Sequence, residues 1–457
     1  MKDIYLVNYS VKGIKTIDQL VSLSFYKKII PRDPDTQDCN VKGIYGMNGS
    51  GKSGIVTAVE ILKNLLTNPE YLMNPIAQKN LDAMINKKLN ELYIEIDYMA
   101  KTVQELILFR YNIRLAKDIT GKYVIVYESL AKKKATAKSE IMEKIFEVSD
   151  GEFLSLYGLE NQNVFSTLIW NKTMNLLQTS SVSAVFYEKI LPRMQVKMRK
   201  KDILLEALCK LYRVGMKLHV YMDASDDHRE YVARNSIGYF DDAEKRQAET
   251  RAWIRRFYEL DSDFLGVVAI TQNLVEKQDY VEFEKSVNKL YEFLHIFKAD
   301  LQGIEIDKKE DREFWICDLI MVYEGYKIQA EFESTGIKKL IRLFAYLRGM
   351  VQGEIVFIDE FDSNLHDVYL CALLEYLMEY GEGQLCFTTH NVGPMDILRK
   401  RKKSIDFLSE DHKIYSWTTN GNYSPSKLYR NGMIEGSPFN VDSIDFIGAF
   451  GSGKGDE

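Results

Sequence analysis

Eight consecutive residues, Gly46-Met47-Asn48-Gly49-Ser50-Gly51-Lys52-Ser53, match the phosphate-binding pattern G-x-x-x-x-G-K-[ST] at every fixed position. The glycines let the backbone turn tightly, so that successive N–H groups converge on phosphate oxygens. Lys52 would reach the β- and γ-phosphates, and the Ser53 hydroxyl would be a ligand of Mg²⁺. We therefore expect ATP and Mg²⁺ to be held by Gly46, Asn48, Gly49, Gly51, Lys52 and Ser53.

Two adjacent acids, Asp359 and Glu360, follow the apolar run Ile355 to Ile358. A buried strand that ends in two carboxylates can complete a phosphate-transfer site. Asp359 would hold Mg²⁺ through water, and Glu360 would polarise the attacking water as a general base. The pattern is common by itself, and it becomes informative because the same chain contains the glycine-rich loop.

Two further polar residues are candidates for the same site. Residues 384–389 are typical of a strand, and His390 at its end could hydrogen-bond the γ-phosphate; a structural histidine at a strand end is the alternative. Gln162, in the run Glu160-Asn161-Gln162-Asn163, could contact Mg²⁺ and the attacking water. An ordinary surface glutamine is an equally good interpretation of Gln162.

A third cluster, Ser334-Thr335-Gly336, precedes a helical pattern of apolar residues. In the simplest interpretation Ser334 caps the helix by accepting a hydrogen bond from a free N–H group. In the functional interpretation Ser334 and Gly336 form an anion site at a helix N-terminus, 25 residues before Asp359.

The elements that must position these residues are visible around them. A strand over 41–45 leads into the glycine-rich loop, and apolar residues at helical spacing follow it as far as Pro69. Residues 3–8 and 21–25 alternate like paired strands, and 92–98, 105–113 and 122–128 like an antiparallel meander. The run Lys132 to Lys134 is predicted to be a solvated loop.

The middle of the chain has a helical composition. Between 280 and 297 the apolar residues fall on one helical face, and strand patterns return over 303–307, 316–323 and 326–332. We predict three parts: residues 1–184, the first part of a nucleotide-binding head; 185–300, a helical insertion; and 301–457, the second part of the head.

The motifs together resemble, in order, the Walker A, signature, Walker B, D-loop and H-loop elements of ABC-type ATPases. The matching segments are 46–53, 334–336, 355–360, 362–366 and 389–390. The chain is similar in particular to the stand-alone abortive-infection and OLD-like ATPases of prokaryotes, which are related to SMC and RecF. Only 67 residues follow His390, too few for the TOPRIM domain of OLD nucleases. The implied fold class is α/β, an ABC-type P-loop head of mixed sheet and antiparallel β subdomain with a helical insertion.

This resemblance implies an ATPase that works as a homodimer. Ser334 and Gly336 of one subunit would close over the nucleotide held by Lys52 of the other. The implied role is that of a sensor or regulator in anti-phage defence, controlling a separate effector such as a nuclease toxin encoded by an adjacent gene. The alternative is a DNA-binding repair or maintenance ATPase of the RecF or SMC kind.

Composition bears on these alternatives. The net charge of −6 and the pI near 5.8 argue against nucleic-acid binding by charge alone, although Arg399 to Lys403 is a candidate contact. The five cysteines are scattered with no C-x-x-C pair, so neither a zinc site nor disulfides are predicted. The N-terminus lacks the features of a signal peptide and the apolar runs are short, which favours a cytoplasmic protein without membrane contact.

Overall fold

The computed structural model describes residues 4–102, 105–161, 163–172, 175–187, 202–223, 268–311, 314–401, 403–418 and 423–437. The strands in these segments form three sheets. Within the same segments, none of the helices combines the length and the apolar character that crossing a bilayer requires.

The strands and helices are numbered here in chain order. The strands are β1 (Ile4–Lys12), β2 (Val21–Ser24), β3 (Val41–Gly46), β4 (Glu91–Lys101), β5 (Leu106–Lys117), β6 (Tyr123–Lys134), β7 (Glu143–Ser149), β8 (Glu152–Leu156), β9 (Leu218–Tyr221), β10 (Asn273–Glu276), β11 (Gly303–Asp311), β12 (Phe314–Tyr323), β13 (Tyr326–Gln329), β14 (Ile355–Ile358), β15 (Gln384–Thr388), β16 (Ile405–Leu408) and β17 (Ile414–Ser416). The helices are α1 (Lys52–Thr67), α2 (Pro75–Met84), α3 (Val164–Lys172), α4 (Ser181–Tyr187), α5 (Ile203–Lys217), α6 (Tyr280–Phe297), α7 (Thr335–Gln352), α8 (Asp367–Tyr380), α9 (Met395–Leu398) and α10 (Pro425–Arg430).

The central sheet has the strand order β17-β16-β3-β15-β14-β9 and is parallel except for β17. Every residue of β3, β14, β15 and β16 is buried. Such continuous burial is expected when helices cover both faces of a parallel sheet. Side chains of α1 and α5 belong to the core on one side, and those of α7 and α8 to a second core. The mixed α/β class predicted from the sequence is confirmed.

The second sheet is antiparallel and has seven strands in the order β2-β1-β4-β5-β6-β7-β8. It contains the predicted N-terminal strand pair and the predicted meander, extended by two more strands. The prediction of a solvated loop at Lys132 to Lys134 is wrong, because these residues end β6 and pair with β5. Lys132 and Lys134 form cross-strand ion pairs of 3.3 Å with Glu143 and 2.8 Å with Glu105. Neighbouring acids therefore offset the repulsion within the basic run.

The third sheet is built from β10 to β13. Helix α6 packs on it through Val287, Leu290 and Leu294, which are fully buried, and the same core contains side chains from the start of α7. The predicted amphipathic face over 280–297 is thus confirmed. The segment 326–332 is a strand only as far as Gln329, and Ala330–Phe332 form a 3-10 turn.

The segment predicted as a helical insertion also contributes to the central sheet. Strand β9 pairs with β14, and α5 packs against α1. A four-residue strand gives little periodic signal, which explains why β9 was not predicted. The boundaries 185 and 300 remain a prediction, and residues 188–201 and 224–267 lie outside the described segments.

Candidate nucleotide-binding site

The glycine-rich loop connects the end of β3 to the start of α1. Gly51 occupies the N-cap position with a φ of 104°, and no side chain caps the helix. A Cβ on Gly51 would lie 2.7 Å from Ile17 Cγ1, so both the backbone angle and the packing require glycine. The first N–H groups of α1 are therefore left for an anion, as expected for a phosphate loop.

Lys52 folds back into this loop. Its Nζ donates hydrogen bonds of 2.8 Å to Gly46 O and 2.9 Å to Met47 O. Burial lowers the pKa of Lys52 to about 8, while the carboxylates of Asp359, Glu360 and Asp362 act in the opposite direction. The ammonium group thus lies in the field of the acid pair that the sequence predicted to share its site.

Several features of the loop fit a bound triphosphate. Ser50 Oγ is buried and, within the described segments, lacks a hydrogen-bond partner. A Cβ on Gly46 would lie 2.5 Å from Leu408 O, which leaves no room for a side chain where β3 enters the loop. Asn48 and Gly49 are exposed at the tip of the loop and Ser53 is partly exposed at the helix start. These residues can hold phosphate oxygens and, through the Ser53 hydroxyl, a magnesium ion.

The acid pair directly follows β14. Asp359 is buried and accepts a 2.6 Å hydrogen bond from Thr388 Oγ1. The same Thr388 oxygen accepts a 2.8 Å hydrogen bond from the backbone N–H of Glu360. The side chain of Glu360 is exposed, which leaves its carboxylate available to a water molecule. Thr388, at the end of β15, was not predicted as a site residue, since threonine at a strand end gives no distinctive signal.

His390 lies two residues beyond β15 and is exposed. Its pKa is lowered, first by partial desolvation and then by the positive charge of Lys52, while Asp362, Glu360 and Asp359 raise it. The same charges act on Lys52. His390 therefore belongs to the group of titratable residues at the carboxyl edge of the sheet, in its neutral form at neutral pH.

Ser334 and Gly336 lie at the start of α7. Ser334 Oγ accepts a 3.4 Å hydrogen bond from Ile337 N, so the predicted capping role is confirmed. A Cβ on Gly336 would lie 2.8 Å from Asn364 O, which places the D-loop against the helix start. The described contacts of Ser334 and Gly336 are thus to their own helix, to Glu333 and to the D-loop.

Two candidates from the sequence remain, namely Gln162 as a magnesium contact and the basic run Arg399 to Lys403 as a nucleic-acid contact. Gln162 lies outside the described residues. Of the basic run Arg399 to Lys403, Arg401 pairs with Asp38 at 2.6 Å and Lys400 with Glu375 at 2.9 Å. These ion pairs neutralise part of the charge that a nucleic-acid contact would use.

Comparisons with known proteins place this site in a family context. Residues 228–396 match the family model AAA_21, described as "AAA domain, putative AbiEii toxin, Type IV TA system". The matched segment contains the signature, the acid pair and His390. No curated protein sequence matches the chain.

Solved structures also align with the chain. The SMC head domain from Thermotoga maritima aligns with a TM-score of 0.33 and 13% identity over 91% of this chain and 100% of that one. The structure of the recombination mediator protein RecF-ATPrS in the RecFOR pathway aligns with a TM-score of 0.37 and 13% identity, over 91% of this chain and 99% of that one.

The phosphate loop, the acid pair and the strand between them meet at one edge of a parallel sheet, and the family model covers the second half of these motifs. The expected resemblance to abortive-infection ATPases is therefore confirmed, since residues 228–396 of this chain are similar to the AAA domain of the AbiEii-related family.

Proposed function

We propose that the chain binds ATP with Mg²⁺ and hydrolyses it. The observation that carries this proposal is the position of three groups at the carboxyl ends of β3, β15 and β14, which are neighbours in the sheet. They are the phosphate loop, the segment from Thr388 to His390, and the pair of Asp359 and Glu360. Ligands of open parallel sheets bind outside the carboxyl ends of their strands.

Each residue has a role that follows from its position. The uncapped N-terminus of α1 and the ammonium of Lys52 bind and orient the phosphates. Ser53 and Asp359 would hold a magnesium ion, which would neutralise charge on the transferred phosphoryl group. Glu360 orients the attacking water and accepts its proton. His390 adds a hydrogen bond to the γ-phosphate.

Lys52→Ala and Glu360→Gln test this proposal. Lys52→Ala should abolish binding of a fluorescent ATP analogue, because it removes the cation from the loop. Glu360→Gln should bind ATP normally and not turn it over. Lys63→Ala, in the same helix as Lys52, is the control and should bind ATP like the wild type. Equal ATP affinity of wild type and Lys52→Ala would contradict the proposal.

We further propose that the working unit is a homodimer with composite sites. Helix α7 presents an exposed N-terminus with Ser334 and Thr335 on the surface, as a second copy would require. An equimolar mixture of Lys52→Ala and Ser334→Arg chains should then gain activity that neither parent has, because each heterodimer contains one intact site. Full activity of a strictly monomeric preparation would refute the composite site.

The family description and the charge favour a role in defence over a role in DNA maintenance. The matching family model is described by a putative toxin and a toxin–antitoxin system. The net charge is −6, and Lys132, Lys134, Lys400 and Arg401 are paired with acids. We therefore propose a cytoplasmic ATPase that senses infection and controls a separate effector, such as a nuclease toxin from an adjacent gene.

Co-expression with the adjacent gene is the test of this role. The product should co-purify with the chain, and toxicity of the pair should differ between wild type and Glu360→Gln. Protection by this chain alone, with no protein bound, would refute the two-component role. Tight binding to duplex DNA with a steep salt dependence would favour the maintenance ATPase instead.

A further inference from the structure

A buried lysine, Lys339, lies where α7 meets the acid pair. We call α7 the signature helix, because it begins within the signature segment 334–336. Only 2% of Lys339 is exposed. Its Nζ donates a 2.6 Å hydrogen bond to the carbonyl oxygen of Glu360, donates another to Ser363 Oγ, and lies 3.5 Å from Asp223 Oδ2. The side chain thereby joins α7, the loop after β14 and the residues that follow β9.

The backbone of Glu360 is held by two side chains. Glu360 has a φ of 46°, in the left-handed region that residues other than glycine rarely adopt. Its N–H donates to Thr388 Oγ1 at 2.8 Å, and its carbonyl accepts from Lys339. Because both backbone groups are fixed, these contacts set the direction of the Cα–Cβ bond from which the exposed carboxylate extends.

The charge of Lys339 costs energy where it lies. Burial lowers the pKa of this lysine, and the carboxylates of Asp223, Asp362 and Glu360 act against that effect. Ser363 Oγ donates a 3.0 Å hydrogen bond to Asp223 Oδ2 and completes the cluster. An apolar side chain would fill this position without desolvating an ammonium group. What the ammonium contributes is therefore the directed contact with Glu360, Ser363 and Asp223.

We propose that Lys339 is a positioning residue that couples the signature helix to Glu360 of the same chain. This role rests on the proposed ATP hydrolysis at composite sites. Ser334 caps α7 and Lys339 lies in the second turn of that helix. When Ser334 and Gly336 engage the nucleotide of a second copy, a shift of α7 moves the Lys339 ammonium and with it the Glu360 carbonyl. Each subunit then aligns its own catalytic carboxylate while its signature is engaged, so the two sites of a dimer act together.

Lys339→Met and the matched control Lys338→Met test the positioning role. Lys338 is the adjacent lysine, partly buried, with its Nζ 3.3 Å from Glu331 O. Lys339→Met should lower kcat by about 100-fold, as expected for a misplaced catalytic group, with ATP affinity within about twofold of wild type. Lys338→Met should change neither quantity by more than about twofold. Ser363→Ala removes one anchor of the ammonium without removing the charge, and should lower kcat in the same direction by a smaller factor.

A double-mutant cycle with Ser334→Ala tests the coupling. If Lys339 transmits the state of the signature helix, the loss of kcat in Ser334→Ala/Lys339→Met should be smaller than the product of the two single losses. In the control pair Ser334→Ala/Lys338→Met, the loss of kcat should equal the product of the two single effects. Losses of kcat that simply multiply in Ser334→Ala/Lys339→Met would overturn the proposal. So would an unchanged kcat in both Lys339→Met and Ser363→Ala. A loss of ATP affinity in Lys339→Met as large as its loss of kcat would overturn it as well. A wild-type protein that binds ATP without hydrolysing it would overturn the proposed function itself, and with it this role.

Discussion

Strand β3, which leads into the phosphate loop, contains a buried ion pair. Lys42 Nζ lies 2.7 Å from Asp406 Oδ2, and the two side chains are 2% and 0% exposed. Ser416 Oγ donates a 2.6 Å hydrogen bond to the other carboxylate oxygen of Asp406. The substitution Lys42→Met keeps the length and the apolar stem of the side chain and removes its charge. It leaves the Asp406 carboxylate buried without the cation.

The expected cost follows from that burial. Removing one partner of a buried ion pair destabilises a protein by about 3–5 kcal/mol, because the remaining charge stays desolvated. Free energies of unfolding are about 5–15 kcal/mol for a domain, so Lys42→Met should remove a large part of the stability. The double variant Lys42→Met/Asp406→Leu contains no buried charge at this point and should recover most of the loss. The bond from Ser416 would still be missing, at about 1 kcal/mol.

Urea unfolding of the wild type, both single variants and the double variant measures this cost. Lys400→Met is the control, since Lys400 lies 2.9 Å from Glu375 in a pair whose side chains are 64% and 52% exposed. An exposed pair contributes about 0–1 kcal/mol. Equal urea midpoints for Lys42→Met and Lys400→Met would refute the reasoning. A double variant less stable than either single variant would refute it as well.

Three further predictions concern the nucleotide site. Gly46→Ala should lower ATP affinity in titration calorimetry, because a Cβ at position 46 meets a backbone oxygen at 2.5 Å. Gly49→Ala should lower it for a different reason, since its Cβ meets nothing within 4 Å but the φ of 80° strains any residue with a side chain. Thr388→Val removes the hydrogen bond to Asp359 and the one from the backbone N–H of Glu360. It should lower kcat more than ATP affinity, and it should lower the free energy of unfolding in urea by about 1–3 kcal/mol. Because burial lowers the pKa of Lys52 to about 8, ATP affinity should fall as the pH rises through that value, and this dependence should vanish in Lys52→Arg.

Local features of the fold and site were predictable from the sequence. The order of strand, glycine-rich loop and helix around Lys52 is encoded in contiguous residues, and so is the apolar strand before Asp359. The amphipathic face of α6 is visible at helical spacing, and its predicted members Val287, Leu290 and Leu294 are fully buried. Each of these predictions needs only neighbouring residues and one periodicity.

Other features could not be predicted because they depend on contacts between distant residues. Thr388 reaches the acid pair because β15 lies beside β14, and its hydroxyl donates a hydrogen bond to Asp359, 29 positions earlier in the chain. Lys339 resembles any lysine of a helix until α7 packs on β9 and β14. The run from Lys132 to Lys134 was interpreted from its charge, while the register of β6 against β5 and β7 decides its structure.

The signature segment 334–336 packs directly against the loop that follows the acid pair. Ser334 lies 282 residues after Lys52 in the chain, yet Gly336 packs against the carbonyl of Asn364, and Thr335 Oγ1 lies 3.5 Å from Asn364 Oδ1. Asn364 has a φ of 59°, so the D-loop turns sharply to make this contact. Since the Lys339 ammonium connects the same helix to Glu360, α7 contacts both ends of the segment from Glu360 to Asn364. In the proposed dimer, a second copy that engages the start of α7 would therefore act on the helix that contacts the segment carrying Glu360.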